Sequence, residues 1–163
     1  MEKLKKEILA VLAEDSRLSY TQIACSLQAD EAAVKKCIRE MEAVGILVKY
    51  TAIINADYLD DDAVEALIEV KVTPQRGHGF DMIAEEVAAH SEVQNLYLMS
   101  GAYDLAVIVR GKSLREVSRF VSEKISTYDS VISTATHFIL KKYKVEGAVM
   151  QKPSGGDRLS VHA

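Results

Sequence analysis

The stretch from Val93 to Arg110, VQNLYLMSGAYDLAVIVR, constrains the fold more than any other. Two apolar runs, Val93–Met99 and Leu105–Val109, flank a polar break, Ser100-Gly101-Ala102-Tyr103-Asp104. Each run is too short for a typical helix and rich in β-branched or aromatic residues, which predicts two strands. A break of this length containing glycine predicts an antiparallel hairpin. The break also carries chemistry: a hydroxyl, a glycine at which another molecule can approach the backbone, a phenol and a carboxylate. Such a cluster at a strand end suits an α-amino acid, with Asp104 facing the ammonium and backbone N–H groups around Gly101 facing the carboxylate. An ordinary solvated hairpin loop is the competing reading.

The hairpin is the middle of a longer pattern. Upstream, Val64, Ala66, Ile68, Val70 and Val72 alternate with Glu65, Leu67, Glu69 and Lys71, which predicts a half-buried strand. Pro74 and Gly77-His78-Gly79 end it, and a helix is expected over Phe80–His90 with Phe80, Ile83, Ala84 and Val87 inward. Downstream, Ser113 caps a helix running to about Ser126, and Val131–Tyr143 is expected to be the last strand. The order strand, helix, strand, strand, helix, strand is the ferredoxin-like βαββαβ arrangement, an α+β antiparallel sheet with both helices on one face. The other face, with Tyr97, Leu105 and Phe138 placed near it, is expected to be too apolar for water and to pack on a second sheet in a dimer.

The first fifty residues read differently. Leu4, Ile8, Val11 and Leu12 share one face of a helix over Lys3–Glu14. Ser19, with Gln22 three positions on, is set to cap a second helix, Tyr20–Leu27. Asp30 is set to cap a third, Glu31–Val44, with Val34, Cys37, Ile38 and Met41 inward and Gly45 stopping it. Ile46–Ile54 is β-prone and is expected to form a strand or wing. Three such helices read as a helix-turn-helix, whose third helix lies in the major groove of DNA. Its outer face carries Glu31, Ala32, Lys35, Lys36 and Arg39. A small helical bundle with a solvated face is the alternative.

Charge bears on that choice. Of the net −4, residues 1–50 contribute zero, with eight basic and eight acidic side chains. Residues 51–150 contribute −5, and 151–163 contribute +1. DNA binding must therefore come from local placement of charge rather than a basic domain. The acidic patch Asp57 to Asp62 looks like an inter-domain connection. The expected organisation is a helix-turn-helix domain at 1–50, a connecting strand or linker at 51–62, a ferredoxin-like domain at 63–146 and a disordered tail at 147–163. No run has the length of a membrane helix, the N-terminus carries acids through its apolar part, and Cys25 and Cys37 match no zinc or thioredoxin spacing. A cytoplasmic chain without a membrane partner is expected.

The pieces together resemble the leucine-responsive/asparagine-responsive (Lrp/AsnC) family of transcriptional regulators over about residues 3–146. The matching stretches are Ile8-Leu9 with Leu12, Asp15-Ser16-Arg17-Leu18-Ser19-Tyr20, Gly45-Ile46-Leu47 with Tyr50-Thr51-Ala52, Glu69-Val70-Lys71-Val72, Gly101-Ala102-Tyr103-Asp104, and Thr134-Ala135-Thr136 leading to Leu140-Lys141. The resemblance implies a homodimer built on the C-terminal sheets, assembling further to octamers on double-stranded DNA. It also implies an amino acid or similar small effector at Ser100, Gly101, Ala102, Tyr103 and Asp104, with Thr134 and Thr136 contributed by a neighbouring subunit. The third helix would read DNA through Glu31, Ala32, Lys35, Lys36 and Arg39. The family usually has serines at the start of that helix and an arginine pair within it. Lysine lacks arginine's fork, so the operator is expected to differ.

No catalytic site, metal site or cofactor is expected. His78, His90, His137 and His162 are scattered, and no P-loop, G-x-S-x-G or G-x-G-x-x-G occurs. Two alternatives share the architecture: a decarboxylase resembling those of the sirohaem pathway, and an effector-binding assembly module without DNA affinity.

Overall fold

The computed structural model describes residues 2–59, 63–74 and 79–150, the side chain of Asp57 excepted. The acids at 60–62, the turn histidine His78, and the tail 151–163 with His162 lie outside the described residues, together with the expectations attached to them. The chain divides after Ile54 into two compact units.

The first unit is three helices, α1 (Glu2–Glu14), α2 (Tyr20–Leu27) and α3 (Glu31–Ala43). Their boundaries are written in side-chain chemistry. Ser19 and Gln22 form a reciprocal capping box that satisfies two orphan donors at the start of α2. Gln28 ends α2 in the left-handed region at φ 51°. Asp30 then caps α3 by accepting the Ala33 N–H at 2.9 Å. Gly45, at φ 73°, closes α3 in a Schellman turn in which Ile46 N–H donates to the Met41 carbonyl at 2.8 Å. Ile8, Ile23, Val34, Cys37, Ile38 and Met41 fill the centre, each almost fully buried. Complete burial of an isoleucine such as Ile8 or Ile23 stabilises the unit by about 1.5–3 kcal/mol.

The segment expected as a strand at Ile46–Ile54 is not one: after the turn that closes α3 the chain is irregular up to Asn55. Ile46, Val48, Tyr50, Ile53 and Ile54 are exposed. Its β-prone composition is real, but a strand exists only through hydrogen bonds to a second strand, and the described residues supply none.

The second unit begins with a 3₁₀ turn at Ala56–Tyr58 and continues as β1 (Val64–Val72), α4 (Asp81–Ala88), β2 (Val93–Leu98), β3 (Leu105–Gly111), α5 (Leu114–Glu123), a 3₁₀ turn at Ile125–Thr127, and β4 (Val131–Phe138). The sheet order is β2-β3-β1-β4, antiparallel throughout, which is the ferredoxin-like topology. One face buries Ala66, Ile68, Val70, Leu105, Val107 and Val109 against Ile83 and Val87 of α4 and Val117, Phe120 and Val121 of α5.

Two residues assigned to the open face belong to the covered one. Leu105 is fully buried, and Phe138 packs against the same core. The register explains it: Leu105 pairs with Val70 and Phe138 with Ala66, both inward residues of β1. The open face instead carries Tyr97, Ala106, Ile108, Arg110, Leu67, Glu69, Ala135 and His137, a mixed rather than apolar surface. There the His137 Nε2 lies 3.4 Å from Glu69 Oε1.

The last strand stops at Phe138 rather than Tyr143, because β1 runs out of partners once Ile139 N–H has bonded the Glu65 carbonyl. The chain then forms a small hairpin, β5 (Lys144–Val145) and β6 (Ala148–Val149), which runs past residue 146, the expected end of the ferredoxin-like domain. Glu146 and Gly147 take φ of 44° and 84°, the two positive values that a type I′ turn requires.

Candidate functional site

Two places carry the candidate residues, one in each unit. In the first, the inward burial of Val34, Cys37, Ile38 and Met41 fixes which way α3 faces. Glu31, Ala32, Lys35, Lys36 and Arg39 all fall on the exposed side. Lys35 places its Nζ 5.9 Å from the centre of the Tyr20 ring on α2, an orientation that cation–π attraction favours. Among the described residues Arg39 has no ion-pair partner. The face thus presents three cations and one carboxylate.

Ion pairs and hydrogen bonds between the helices and loops support this face. Lys5 Nζ sits 2.9 Å from Glu40 Oε2, tying α1 to the flank of α3. That hydrogen bond lowers the pKa of Glu40 and raises that of Lys5. Arg17 grips Asp15 with two side-chain N–H groups, at 2.9 Å each, and also through its backbone N–H. The side-chain bonds from Arg17 hold the Asp15 carboxyl at about 2. Near the end of α3, the Tyr50 hydroxyl donates to Glu42 Oε1 at 2.9 Å. Burial first, and then that carboxylate, push the Tyr50 phenol up to about 12. A cavity of about 310 Å³ lies between Tyr50 and the helices, lined by Leu12, Leu18, Tyr20, Ile23, Ile38 and Glu42 among others. Spacing alone signals none of these pairs except the local Asp15-Ser16-Arg17.

The second place is the β2–β3 turn. Ser100, Gly101 and Ala102 are exposed, and Tyr103 and Asp104 are half-buried. Met99 N–H donates to the Asp104 carbonyl at 2.7 Å, and Asp104 N–H donates to the Val70 carbonyl at 3.1 Å. One side-chain oxygen of Asp104, Oδ2, accepts the Val72 N–H at 2.9 Å. Part of this carboxylate therefore closes the end of β1. Gly101 is not required by a left-handed backbone, and a Cβ there would meet nothing within 4 Å. Thr134 and Thr136 lie on β4, half-buried and paired with Val70 and Ile68. Thr134 is thus separated from Leu105, the residue after the turn, by the width of β1, about 10 Å at ordinary strand spacing. The single chain does not close these seven residues into one pocket.

The other histidines are structural in position. His90 Nε2 is 2.9 Å from the Tyr128 hydroxyl, and its ring meets Phe120 edge-on. No cluster of three potential metal ligands occurs among the described residues. No helix among them is long and apolar enough to cross a membrane.

A helix-turn-helix unit with a cationic third-helix face, joined to a ferredoxin-like unit, defines a DNA-binding regulator with a separate ligand-binding module. Residues 1–48 match a winged helix-turn-helix DNA-binding model, and residues 65–149 match that of the Lrp/AsnC ligand binding domain. The chain belongs to the Lrp/AsnC family of transcriptional regulators. It is 46% identical over 156 residues to the uncharacterized HTH-type transcriptional regulator YugG of Bacillus subtilis, covering 95% of this chain and 94% of that one. It is 31% identical to the HTH-type transcriptional regulator LysM of Saccharolobus solfataricus, over 84% of this chain and 92% of that one. Among solved structures it resembles the leucine response regulatory protein LrpA of Mycobacterium tuberculosis, with a TM-score of 0.74 at 20% identity, covering 93% of this chain and 100% of that one. A transcriptional regulator of Neisseria meningitidis solved with L-Met gives a TM-score of 0.68 at 20% identity, covering 94% and 96%.

Proposed function

We propose that this regulator binds double-stranded DNA as a homodimer through Glu31, Ala32, Lys35, Lys36 and Arg39, and that a small amino acid acting at the β2–β3 turn sets its assembly or its DNA affinity. The observation that carries the reading is the exposed outer face of α3, with Lys35, Lys36 and Arg39 presented by a helix capped at both ends. Its cations are the chemistry that neutralises phosphate and releases counterions. The lysines act as point charges, so base readout rests on fewer forked contacts than an arginine pair would make.

For the effector, one Asp104 oxygen is committed to Val72, and the other is the candidate partner for the ammonium. Backbone N–H groups near Gly101, where no atom of the chain fills the space of a side chain, receive the carboxylate. Thr134 and Thr136 join the site from a second subunit, and association of dimers into octamers completes it. The L-Met complex of the Neisseria regulator supports an amino acid as the class. The protein works in the cytoplasm and has no catalytic role.

A gel-shift titration against a random duplex pool, with each of the twenty amino acids added in turn, tests both halves. Retention of DNA that weakens with salt supports the α3 reading, and a shift on adding one amino acid supports the effector reading. An absence of retained DNA at low salt overturns the first, and indifference to every amino acid overturns the second.

A further inference from the structure

Segment 46–54 leaves α3 and leads to the second unit, yet it forms no strand and exposes most of its apolar residues. Two anchors hold it to the helices. Leu47 packs against the helical core two residues past Gly45. Tyr50 donates its hydroxyl to Glu42, the next-to-last residue of α3. The two anchors differ in kind. Leu47 is half-buried against the helical core beside the Schellman turn, where its N–H also donates to the Met41 carbonyl at 3.1 Å. Tyr50 is 44% exposed and stands over a cavity of about 310 Å³, so close packing does not fix its ring. Beyond Leu47, and among the described residues, the Tyr50–Glu42 bond is the side-chain hydrogen bond that ties the departing chain back to the recognition helix.

That bond is well suited to the task. The charges around it are matched elsewhere: Glu40 with Lys5, and Asp15 with Arg17. Among the described residues no cation pairs with Glu42, which leaves its carboxylate to accept from the phenol. A hydrogen bond to a charged acceptor is about twice as strong as one between neutral groups. The phenol, ordinarily near 10 and raised further by burial, is a donor at neutral pH.

We infer that Tyr50 is a positioning residue that couples the outgoing chain to α3, so that the spacing of two recognition helices in a dimer is transmitted through the Tyr50–Glu42 bond. The inference rests on the DNA-binding reading above. Without the bond, each helical unit would pivot about Leu47 and reach half-sites at altered spacing. With it, only half-sites in register are bound together. Tyr50 itself touches no DNA in this scheme and leaves the affinity of one unit for one half-site unchanged.

The test uses the full chain and a duplex selected by the parent from a random pool, then rebuilt with one half-site, with two, and with two separated by an added ~5 bp, half a helical turn. The parent should lose affinity by about tenfold or more on the insertion, because simultaneous engagement is lost. Tyr50→Phe should lose about threefold or less, since a pivoting linker restores simultaneous engagement, with the single half-site bound as in the parent. Glu42→Gln, whose amide oxygen still accepts, should behave as the parent, and Glu42→Leu as Tyr50→Phe. The Tyr50→Phe/Glu42→Leu double variant should be no more tolerant of the insertion than either single variant, as expected of one shared interaction. A parent-like insertion penalty in Tyr50→Phe overturns the inference while leaving the DNA-binding reading intact. Equal weakening on the single half-site overturns it too, as the mark of a merely structural residue. A parent that selects no duplex overturns both.

Discussion

The side chain of Asp104 accepts the backbone N–H of Val72 at 2.9 Å, across the sheet from one strand end to another. The same residue's N–H bonds Val70, so the turn between β2 and β3 is stitched to the end of β1 at two points. A candidate ligand residue is thereby also a structural one, and substitutions there separate the two roles.

Asp104→Ala leaves the N–H of Val72 without its partner at a residue that is 3% exposed. It should cost about 1–3 kcal/mol in urea unfolding. Asp104→Asn keeps an accepting oxygen and should cost less, yet it removes the charge that faces an ammonium. Calorimetric titration with the responding amino acid should show loss of binding in Asp104→Asn with the fold retained. Equal affinity in parent and variant would assign Asp104 to the turn alone.

Arg39 stands on the exposed side of α3. Arg39→Ala should weaken binding to all duplexes alike and reduce the salt slope by about 1. Gel shifts at several salt concentrations measure both. An unchanged slope would make Arg39 a solvated residue of no account for DNA.

The Asp15 carboxyl, lowered from 3.8 to about 2 by the Arg17 side chain, favours its ionised form in the fold. A depressed folded value contributes stability above the unfolded value and loses it as pH falls. The contribution is thus present above about pH 4 and lost between there and the folded value. Arg17→Ala should return the Asp15 titration toward 3.8, read by carboxyl-carbon NMR. A titration still near the parent's would assign the shift to something other than the guanidinium.

Gly45 holds φ 73°, where a side chain is strained whatever space surrounds it. Gly45→Ala should destabilise the helical unit by about 1–2 kcal/mol. Thermal unfolding followed by circular dichroism would show it, and a parent-like midpoint would mean that the Schellman turn relaxes without loss.

The open sheet face carries Leu67 and Ile108 opposite each other on β1 and β3. If the proposed homodimer packs through this face, Leu67→Lys should place charge in its interface and give a monomer in light scattering at micromolar concentration. A dimer persisting through that substitution would move the interface elsewhere.

Much of this architecture was legible before any coordinates. The alternation of Val64 to Val72 and the helical spacing of Val34, Ile38 and Met41 are local signals with a single geometric solution. So are the caps at Ser19, Asp30 and Gly45. What stayed hidden depends on partners remote in the chain. Leu105 and Phe138 look available for either face until register with Val70 and Ala66 assigns them to the core. Ile46–Ile54 has strand composition, but composition does not supply a neighbour. The short hairpin at 144–149 was within reach, since Glu146-Gly147 is an adequate two-residue turn flanked by apolar residues. At the candidate site, residue types pointed to Ser100–Asp104, whereas the bond from Val72 to Asp104 spans 32 positions and has no local signature.

The strand order β2-β3-β1-β4 has a consequence in time. During synthesis the three-helix unit emerges first and needs only near neighbours to complete itself. β1 follows, but it is an interior strand: one flank waits for β3, and the other for β4, which ends at Phe138. Until then at least one Val-rich edge stays unpaired while the chain from Val72 to Phe138 is made. Glu65, Glu69 and Lys71 put charge along β1, and charge at such positions disfavours pairing of an open strand with another chain until the sheet closes.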